Sequence, residues 1–105
     1  MWPGGDIACP GAPKPLPLSF DSTVIVAARR VIAEVESYPD VFSFPIEKGT
    51  KLKLEEFCGA PRCEDGMIWW AAECPRISGL DCPDFTRLWV PEGSASTYYL
   101  QPTTP

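Results

Sequence analysis

The chain has 105 residues, which is room for one hydrophobic core and no second domain. Thirteen prolines and eight glycines disfavour a helical bundle, because a proline inside a helix costs about 3 kcal/mol, so the composition favours an all-β or loop-rich fold. The net charge of -5 leaves no basic footprint for a nucleic-acid backbone, and no apolar run approaches the roughly 20 residues of a membrane span.

The chain begins with a proline-rich segment, in which glycine and alanine separate the prolines. Such a segment is extended or polyproline-like and buries little surface by itself. We therefore expect residues 1–19 to form an extended arm, with Pro13, Pro15 and Pro17 contacting a partner protein. The opening residues also lack the basic and apolar regions of a signal peptide, so the chain as given predicts no export signal.

The segment from Phe20 to Ser37 fits two patterns. Its valines, alanines and isoleucine follow helical spacing, and part of it also alternates as a strand does. The β-branched residues favour a strand, which the sequence Tyr38-Pro39-Asp40 ends as a turn. A helix over residues 23–36 is the alternative, because Asp21 or Ser22 could cap it.

Two clearer strands follow this segment. Residues 50–55 alternate between apolar and charged side chains after a Lys48-Gly49 turn, which predicts a strand that buries Leu52 and Leu54. In a second strand, Met67 to Cys74, the same alternation places Trp70 inward with those leucines and leaves Trp69 on the other face. We predict that residues 58–66 connect the two strands as a hairpin.

The last elements are short. Residues Arg87 to Val90 form a predicted strand, and residues Pro91 to Ser96 form a predicted turn. Residues Thr97 to Leu100 are either a closing strand or a single helical turn. Residues 101–105 are expected to be a short tail.

Four pieces of this sequence, taken in order, resemble the bacterial SH3 family. They are Lys48-Gly49-Thr50-Lys51-Leu52-Lys53-Leu54, Ile68-Trp69-Trp70-Ala71, Leu88-Trp89-Val90-Pro91 and Tyr99-Leu100. The resemblance covers about residues 31–100 and implies a small five-stranded SH3-like β-barrel over residues 20–100. The chain departs from the family pattern at Leu88, where a glycine is expected, and in a long insertion over residues 75–85. The resemblance therefore does not transfer a ligand specificity.

The cysteines suggest disulfide bonds. Of the five, four fall into two local pairs, Cys58 with Cys63 and Cys74 with Cys82, and loops of this size can be bridged with ordinary geometry. The alternatives are reduced buried thiols and a four-cysteine zinc site, although neither spacing matches the close ligand pairs that structural zinc usually takes. We expect Cys9 to be an unpaired, inert thiol.

Catalytic groups are few. The chain has no histidine, which excludes Ser-His-Asp and Cys-His nucleophilic catalysis. Glu55 and Glu56 point to opposite sides of a strand, and Glu64 and Asp65 fall at a predicted hairpin tip, so both pairs are interpreted as surface charge. The sequence predicts no enzyme activity, no metal site and no cofactor.

Aromatic side chains are the main candidates for binding. Trp69, Trp70, Trp89, Tyr98 and Tyr99 combine a large apolar area with a polar group, as residues at interface hot spots do. We predict an exposed groove formed by Trp69, Trp89 and one of the two tyrosines. The alternative is that all five pack inside the barrel and along its flanks.

These observations favour a non-enzymatic structural or protein-interaction module. The leading hypothesis is an accessory subunit of a larger assembly, such as a phage virion, that docks on neighbouring subunits through its arms and surface aromatics. Its cysteines would oxidise after release from the cell. The alternative is an exported bacterial SH3 domain, extracellular or periplasmic, that binds cell wall or peptide; a zinc-binding module is a second alternative.

Overall fold

The computed structural model describes residues 9–13, 16, 18, 20–37, 40–57, 60–80, 82, 86–94 and 97–103. These ranges contain ten strands and no helix, so the all-β prediction is confirmed for them. The strands are β1 Thr23–Val26, β2 Arg30–Ser37, β3 Asp40–Glu47, β4 Lys51–Lys53, β5 Arg62–Glu64, β6 Met67–Ala72, β7 Thr86–Pro91, β8 Gly93–Ser94, β9 Thr97–Tyr98 and β10 Leu100–Pro102.

The strands form three antiparallel sheets. The largest has five strands in the order β3-β2-β7-β6-β5, the second has three in the order β10-β1-β4, and β8 and β9 form a two-stranded ribbon. An isolated bridge between Leu54 and Ala72 links the first two sheets. In the part of the chain that the structure describes, the strands do not close into a single barrel.

The ambiguous segment before residue 37 is strand, not helix. It divides into β1 and β2, and both bury alternate residues: Val24 and Val26 in β1, and Val31, Ala33 and Val35 in β2. The β-branched residues decide the outcome, because their side chains pack well on a pleated surface with one buried face.

The main core lies on one face of the five-stranded sheet, under the three-stranded sheet. Trp70 is fully buried there, together with Leu52 and Leu54. Its indole nitrogen donates a hydrogen bond to Glu92 at 3.0 Å, and Phe20 packs edge-on against its ring. The inward placement of Trp70 predicted from alternation is therefore confirmed.

The opposite face of β6 and β7 is also covered. Trp69, Ala71 and Trp89 form a second small core, and Phe57, Ala60 and Met67 pack against it from the outside. Strands that are buried on both faces have nearly continuous apolar sequences. This explains the run Met67–Ala72, in which five of six residues are buried.

The predicted hairpin between residues 50–55 and Met67–Cys74 is only partly correct, because the two segments pair antiparallel at one end alone. β6 instead forms a hairpin with β5 through Asp65 and Gly66, whose φ angles are 55° and 72°. Positive φ at both central residues matches the twist of the flanking strands, which is why Asp-Gly is favoured in two-residue hairpin turns. β4 pairs with β1, so the contact with the second predicted strand is limited to the Leu54–Ala72 bridge and two flanking hydrogen bonds, from Glu55 N–H to the Ala71 carbonyl and from Glu73 N–H to the Lys53 carbonyl.

The described part of the N-terminal arm packs on the domain, which corrects the expectation of an arm free to grip a partner. Leu18 is 1% exposed, and the backbone N–H of Leu16 donates to the buried carboxylate of Glu92. Pro13 is half-buried, while Pro15 and Pro17 lie outside the described residues. Alternating apolar residues between the prolines supply side chains that the core can bury.

The C-terminal strand extends further than expected. Gln101 and Pro102, assigned above to a tail, pair with Ile25 and Val24 in β10. Thr103 continues the contact, because its backbone N–H and side-chain hydroxyl both donate to the carbonyl of Thr23.

The disulfide prediction is correct for one pair and wrong for the other. Cys74 is bonded to Cys82 as expected, but Cys63 is bonded to Cys9, which is therefore not a free thiol. The packed arm places the Cys9 and Cys63 Cα atoms 5.4 Å apart, within the range that a disulfide spans. Cys58 lies outside the described residues.

Disulfide bonding also contradicts the zinc alternative. Of the cysteines proposed as ligands, Cys63, Cys74 and Cys82 are in disulfides. Zinc binds thiolates, which these residues no longer offer. The described residues contain no group of three or more metal-ligating side chains.

Candidate partner-binding cleft

The two tryptophans predicted to line an exposed groove are largely buried. Trp69 is 7% exposed and Trp89 is 2% exposed, so both belong to the second core and the prediction for Trp89 is wrong. Tyr98 is 37% exposed, and Tyr99 is half-buried. The covering segment around Phe57, which alternation within β6 and β7 cannot reveal, excludes Trp89 from solvent.

A cleft of about 360 Å³ lies beside the second core, on the face of the five-stranded sheet that carries Trp69 and Trp89. It brings together the exposed edge of Trp69, the ring of Tyr99 and the exposed side chain of Ile32. The complete lining is Arg30, Val31, Ile32, Glu34, Ser43, Met67, Trp69, Pro91 and Tyr99. Of the predicted partner-binding residues, Trp69 and Tyr99 therefore share one site.

Strand pairing explains why the sheet opens at this point. β2 pairs with β7 over Glu34–Ser37, and the first half of β2 extends beyond this ladder. Pro91 lies at the end of β7, next to the point where the two strands part, and has no N–H to donate. The gap between the first half of β2 and Pro91 becomes the cleft.

The aromatic groups of the cleft are held by hydrogen bonds. The Trp69 indole nitrogen donates to the carbonyl of Glu64 at 3.0 Å, which fixes the ring against the β5–β6 hairpin. The backbone N–H of Tyr99 donates to the carbonyl of Glu92 at 2.9 Å, and its phenol hydroxyl hydrogen-bonds with Ser94. These contacts place both rings before any ligand arrives.

A tight ribbon positions Tyr99. β8 and β9 pair Gly93 with Tyr98, and a Cβ at Gly93 would lie 2.9 Å from the Tyr98 Cα, closer than real Cβ contacts allow. Only glycine allows this approach of the two backbones.

The charges around the cleft are arranged in pairs. Arg30 lies 3.2 Å from Glu47 in an exposed ion pair, which adds little stability. Arg62 lies between Glu34 and Glu64, at 4.0 and 3.2 Å, and its guanidinium stacks 4.2 Å above the Trp89 ring. The rim of the cleft therefore carries both signs of charge around an apolar centre.

A second arginine covers the other end of the small core. Arg87 stacks 3.8 Å above Phe57 and forms a 2.6 Å ion pair with Glu55. Glu55 is thus half-buried and paired, whereas Glu56, Glu64 and Asp65 are exposed, in agreement with their interpretation as surface charge.

Glu92 is the buried residue that the sequence analysis missed. It is 1% exposed, and its carboxylate accepts hydrogen bonds from the Trp70 indole and the Leu16 backbone N–H. Burial raises the pKa of Glu92 above its usual value, and these two hydrogen bonds only partly oppose the effect. The position of Glu92 directly after Trp89-Val90-Pro91 gives no sequence signal of burial.

Comparisons with protein-family models, with curated proteins and with solved structures find no match to this chain. Within the described residues, no helix has the length and apolar character needed to cross a membrane. The cleft itself is therefore the feature that indicates function, because it offers an apolar floor with two fixed aromatic rings and a rim of paired charges.

Proposed function

We propose that this chain is a non-catalytic protein-interaction module of SH3-like type, which binds an extended apolar segment of a partner protein in the cleft. The observation that supports this most strongly is the convergence of Trp69, Tyr99 and Pro91 on one open, apolar site. Aromatic-lined grooves are suited to proline-containing extended segments, because these lose little conformational entropy on binding.

The fixed rings of the cleft favour binding. Trp69 and Tyr99 are already held by hydrogen bonds to Glu64 and Glu92, so a ligand does not have to order them. Ile32 adds a half-exposed aliphatic side chain, and Ser43 and Glu34 add polar groups at the rim. Such a combination is typical of small sites in which apolar contact supplies affinity and a few polar groups supply orientation.

The biological setting that we propose is a larger assembly, such as a virion, in which the partner is a neighbouring subunit. The two disulfides are compatible with an oxidising extracellular location. The same compatibility supports the second candidate, an exported SH3-like domain that binds cell wall or a peptide.

The first experiment is a selection of binding peptides from a random library on the immobilised oxidised protein, followed by affinity measurement for the best peptide. Replacing Ile32, which is 51% exposed in the cleft, by serine should weaken binding about tenfold, because burying such a side chain contributes about 1.5 kcal/mol or more. The Ile32→Ser variant should keep its fold, since the side chain lies outside both cores.

The matched control is Val41→Ser. Val41 is 59% exposed, is also β-branched and lies on the same face of the sheet, but is not part of the cleft. Equal loss of affinity in both variants, or unchanged affinity in Ile32→Ser, would contradict the cleft as the site.

A parallel measurement separates the two candidates. Sedimentation of the protein with purified insoluble peptidoglycan should leave it in solution if its ligand is a protein segment. Binding to peptidoglycan that Ile32→Ser reduces and Val41→Ser does not would favour the cell-wall candidate.

A further inference from the structure

The outer edge of β3 differs from the other edge of the five-stranded sheet. β3 spans Asp40–Glu47 and presents exposed apolar side chains, with Val41 59% exposed and Phe42 44% exposed. At the opposite edge, β5 is only three residues long and is tied to the arm by the Cys9–Cys63 disulfide. One edge of the sheet is thus short and cross-linked, while the other is a long strand on which no further strand lies within the described part of the chain.

The hydrogen-bond alternation of β3 shows which backbone groups face outward. The N–H of Lys48 donates to the carbonyl of Arg29, so these two residues form a hydrogen-bonded pair. Ile32 and Pro45 lie three pairs further along the same register, at a non-hydrogen-bonded pair. Hydrogen-bonded and non-hydrogen-bonded pairs alternate along an antiparallel ladder. Val41, Ser43 and Pro45 therefore direct their backbone groups away from β2, and the missing N–H of Pro45 costs no bond to β2.

We infer that this edge binds a second copy of the chain, with β3 pairing antiparallel to β3 across a two-fold axis at Phe42. In this register Val41 of each copy lies opposite Ser43 of the other. Each of these residues offers one outward N–H and one outward C=O, so the arrangement forms four interchain hydrogen bonds. Pro45 lies just beyond the paired stretch, where its lack of a donor is harmless.

The neighbouring register is less favourable. Centring the axis on Ser43 would set Val41 opposite Pro45 of the second copy, and the Val41 carbonyl would then find no donor. Centring it on Phe42 brings two half-exposed phenyl rings together at a non-hydrogen-bonded position, where side chains approach most closely.

The charges of the strand also fit self-pairing, although each copy carries a net charge of -5. Asp40 of one copy lies opposite Phe44 of the other, and the two Asp40 residues lie at opposite ends of the paired stretch, about 14 Å apart. No carboxylate of β3 therefore opposes another. Because the two-fold axis pairs β3 with β3, each copy uses the same edge, and the assembly closes as a dimer of two sheets instead of an open filament.

Sedimentation of the oxidised protein over a concentration series tests the dimer. Val41→Pro removes two of the four interchain bonds without removing a bond to β2, and should raise the dimer dissociation constant at least about tenfold. Val41→Thr keeps the shape and the N–H, so its dissociation constant should match that of the original chain. A monomer at every concentration, or a dimer that Val41→Pro leaves unchanged, would overturn the inference.

Cross-linking tests the register and does not depend on the proline variant folding. In a Cys58→Ser background, Phe42→Cys should form an interchain disulfide on mild oxidation, because the two Cα atoms face each other across the axis. Asp40→Cys, two residues away on the same strand, is the matched control and should not cross-link. Equal cross-linking of the two variants, or none in Phe42→Cys, would contradict the proposed pairing.

Discussion

Glu92 joins two parts of the chain that lie far apart in sequence. Its carboxylate accepts hydrogen bonds from Leu16 in the N-terminal segment and from Trp70 in β6, and its backbone carbonyl accepts from Tyr99, which lines the cleft. The side chain is buried, so its pKa is raised chiefly by loss of solvation. The side chain of this one residue therefore links the arm to the core, and its backbone carbonyl holds Tyr99 beside the cleft.

The raised pKa predicts how stability depends on pH. The folded protein holds the Glu92 proton more tightly than the unfolded chain, whose glutamate has a pKa near 4.5. The stability linked to the neutral carboxyl is present in full below pH 4.5 and is lost as the pH rises through the raised pKa. Glu92→Gln should abolish this loss, so the free energy of unfolding of the variant should increase relative to that of the original chain as the pH rises.

Urea unfolding at a series of pH values, followed by tryptophan fluorescence, measures this difference. Glu73→Gln, at an exposed position, makes the same change in net charge and is the matched control. Free energies of unfolding that stay parallel for Glu92→Gln and the original chain would show that Glu92 is not the group responsible.

Exposure of single residues was the weakest part of the sequence-based prediction. Alternation placed Trp70 in the core and Trp69 on the opposite face, and both placements are correct. Alternation gives only the face of a sheet, however, and not what covers that face. Trp89 is buried because Phe57 and Arg62 pack over it, and both residues lie outside β6 and β7.

At the scale of elements, the N-terminal segment is the largest correction. Its prolines predicted an independent arm, yet Leu16 and Leu18 pack against the main core and Cys9 is bonded to β5. Proline content indicates an extended backbone, but it does not show whether the side chains between the prolines are buried. Leu16 and Leu18, the apolar residues between the prolines, are the feature of the sequence that indicates burial of this segment.

The two disulfides should contribute unequally to stability. The Cys9–Cys63 bond joins residues 54 apart, whereas Cys74–Cys82 joins residues 8 apart. Because a longer closed loop removes more entropy from the unfolded chain, the Cys9→Ala, Cys63→Ala variant should lose about 4 kcal/mol. The Cys74→Ala, Cys82→Ala variant should lose about 2.5 kcal/mol. Urea unfolding of both double variants measures the difference, and a larger loss at Cys74 and Cys82 would contradict it.

The β5–β6 hairpin shows which local signal was overlooked. Asp65-Gly66 between two short strand sequences is a strong indication of a two-residue turn. The alternating pattern alone instead places these residues in a long connection that begins after β4. The correct hairpin brings the Glu64 carbonyl to the Trp69 indole, and this contact fixes one wall of the cleft.

At the scale of the whole molecule, the five-stranded sheet separates two cores of unequal size. The larger is enclosed by the three-stranded sheet and the N-terminal segment, and the smaller by residues around Phe57. The cleft lies where the second cover ends, next to Trp69 and Pro91. Its position therefore depends on how far the covering segment extends.

The covalent topology gives a direct check on this architecture. With Cys9, Cys63, Cys74 and Cys82 in disulfides, denatured and unreduced protein should contain one free thiol, that of Cys58. Peptide mapping by mass spectrometry should recover Cys9 linked to Cys63. A peptide that links Cys58 to Cys63 would contradict the packing of the N-terminal segment against β5.

Local patterns in the chain predict the all-β class, the strands around Leu52, Trp70 and Trp89, and the Cys74–Cys82 bond. All of these depend on alternation, proline content or short separations. The folded structure adds the pairing of Cys9 with Cys63, the cover over Trp89, the burial of Glu92 and the position of the cleft. Each of these depends on contacts between residues far apart in sequence, and such contacts leave no periodic or short-range pattern.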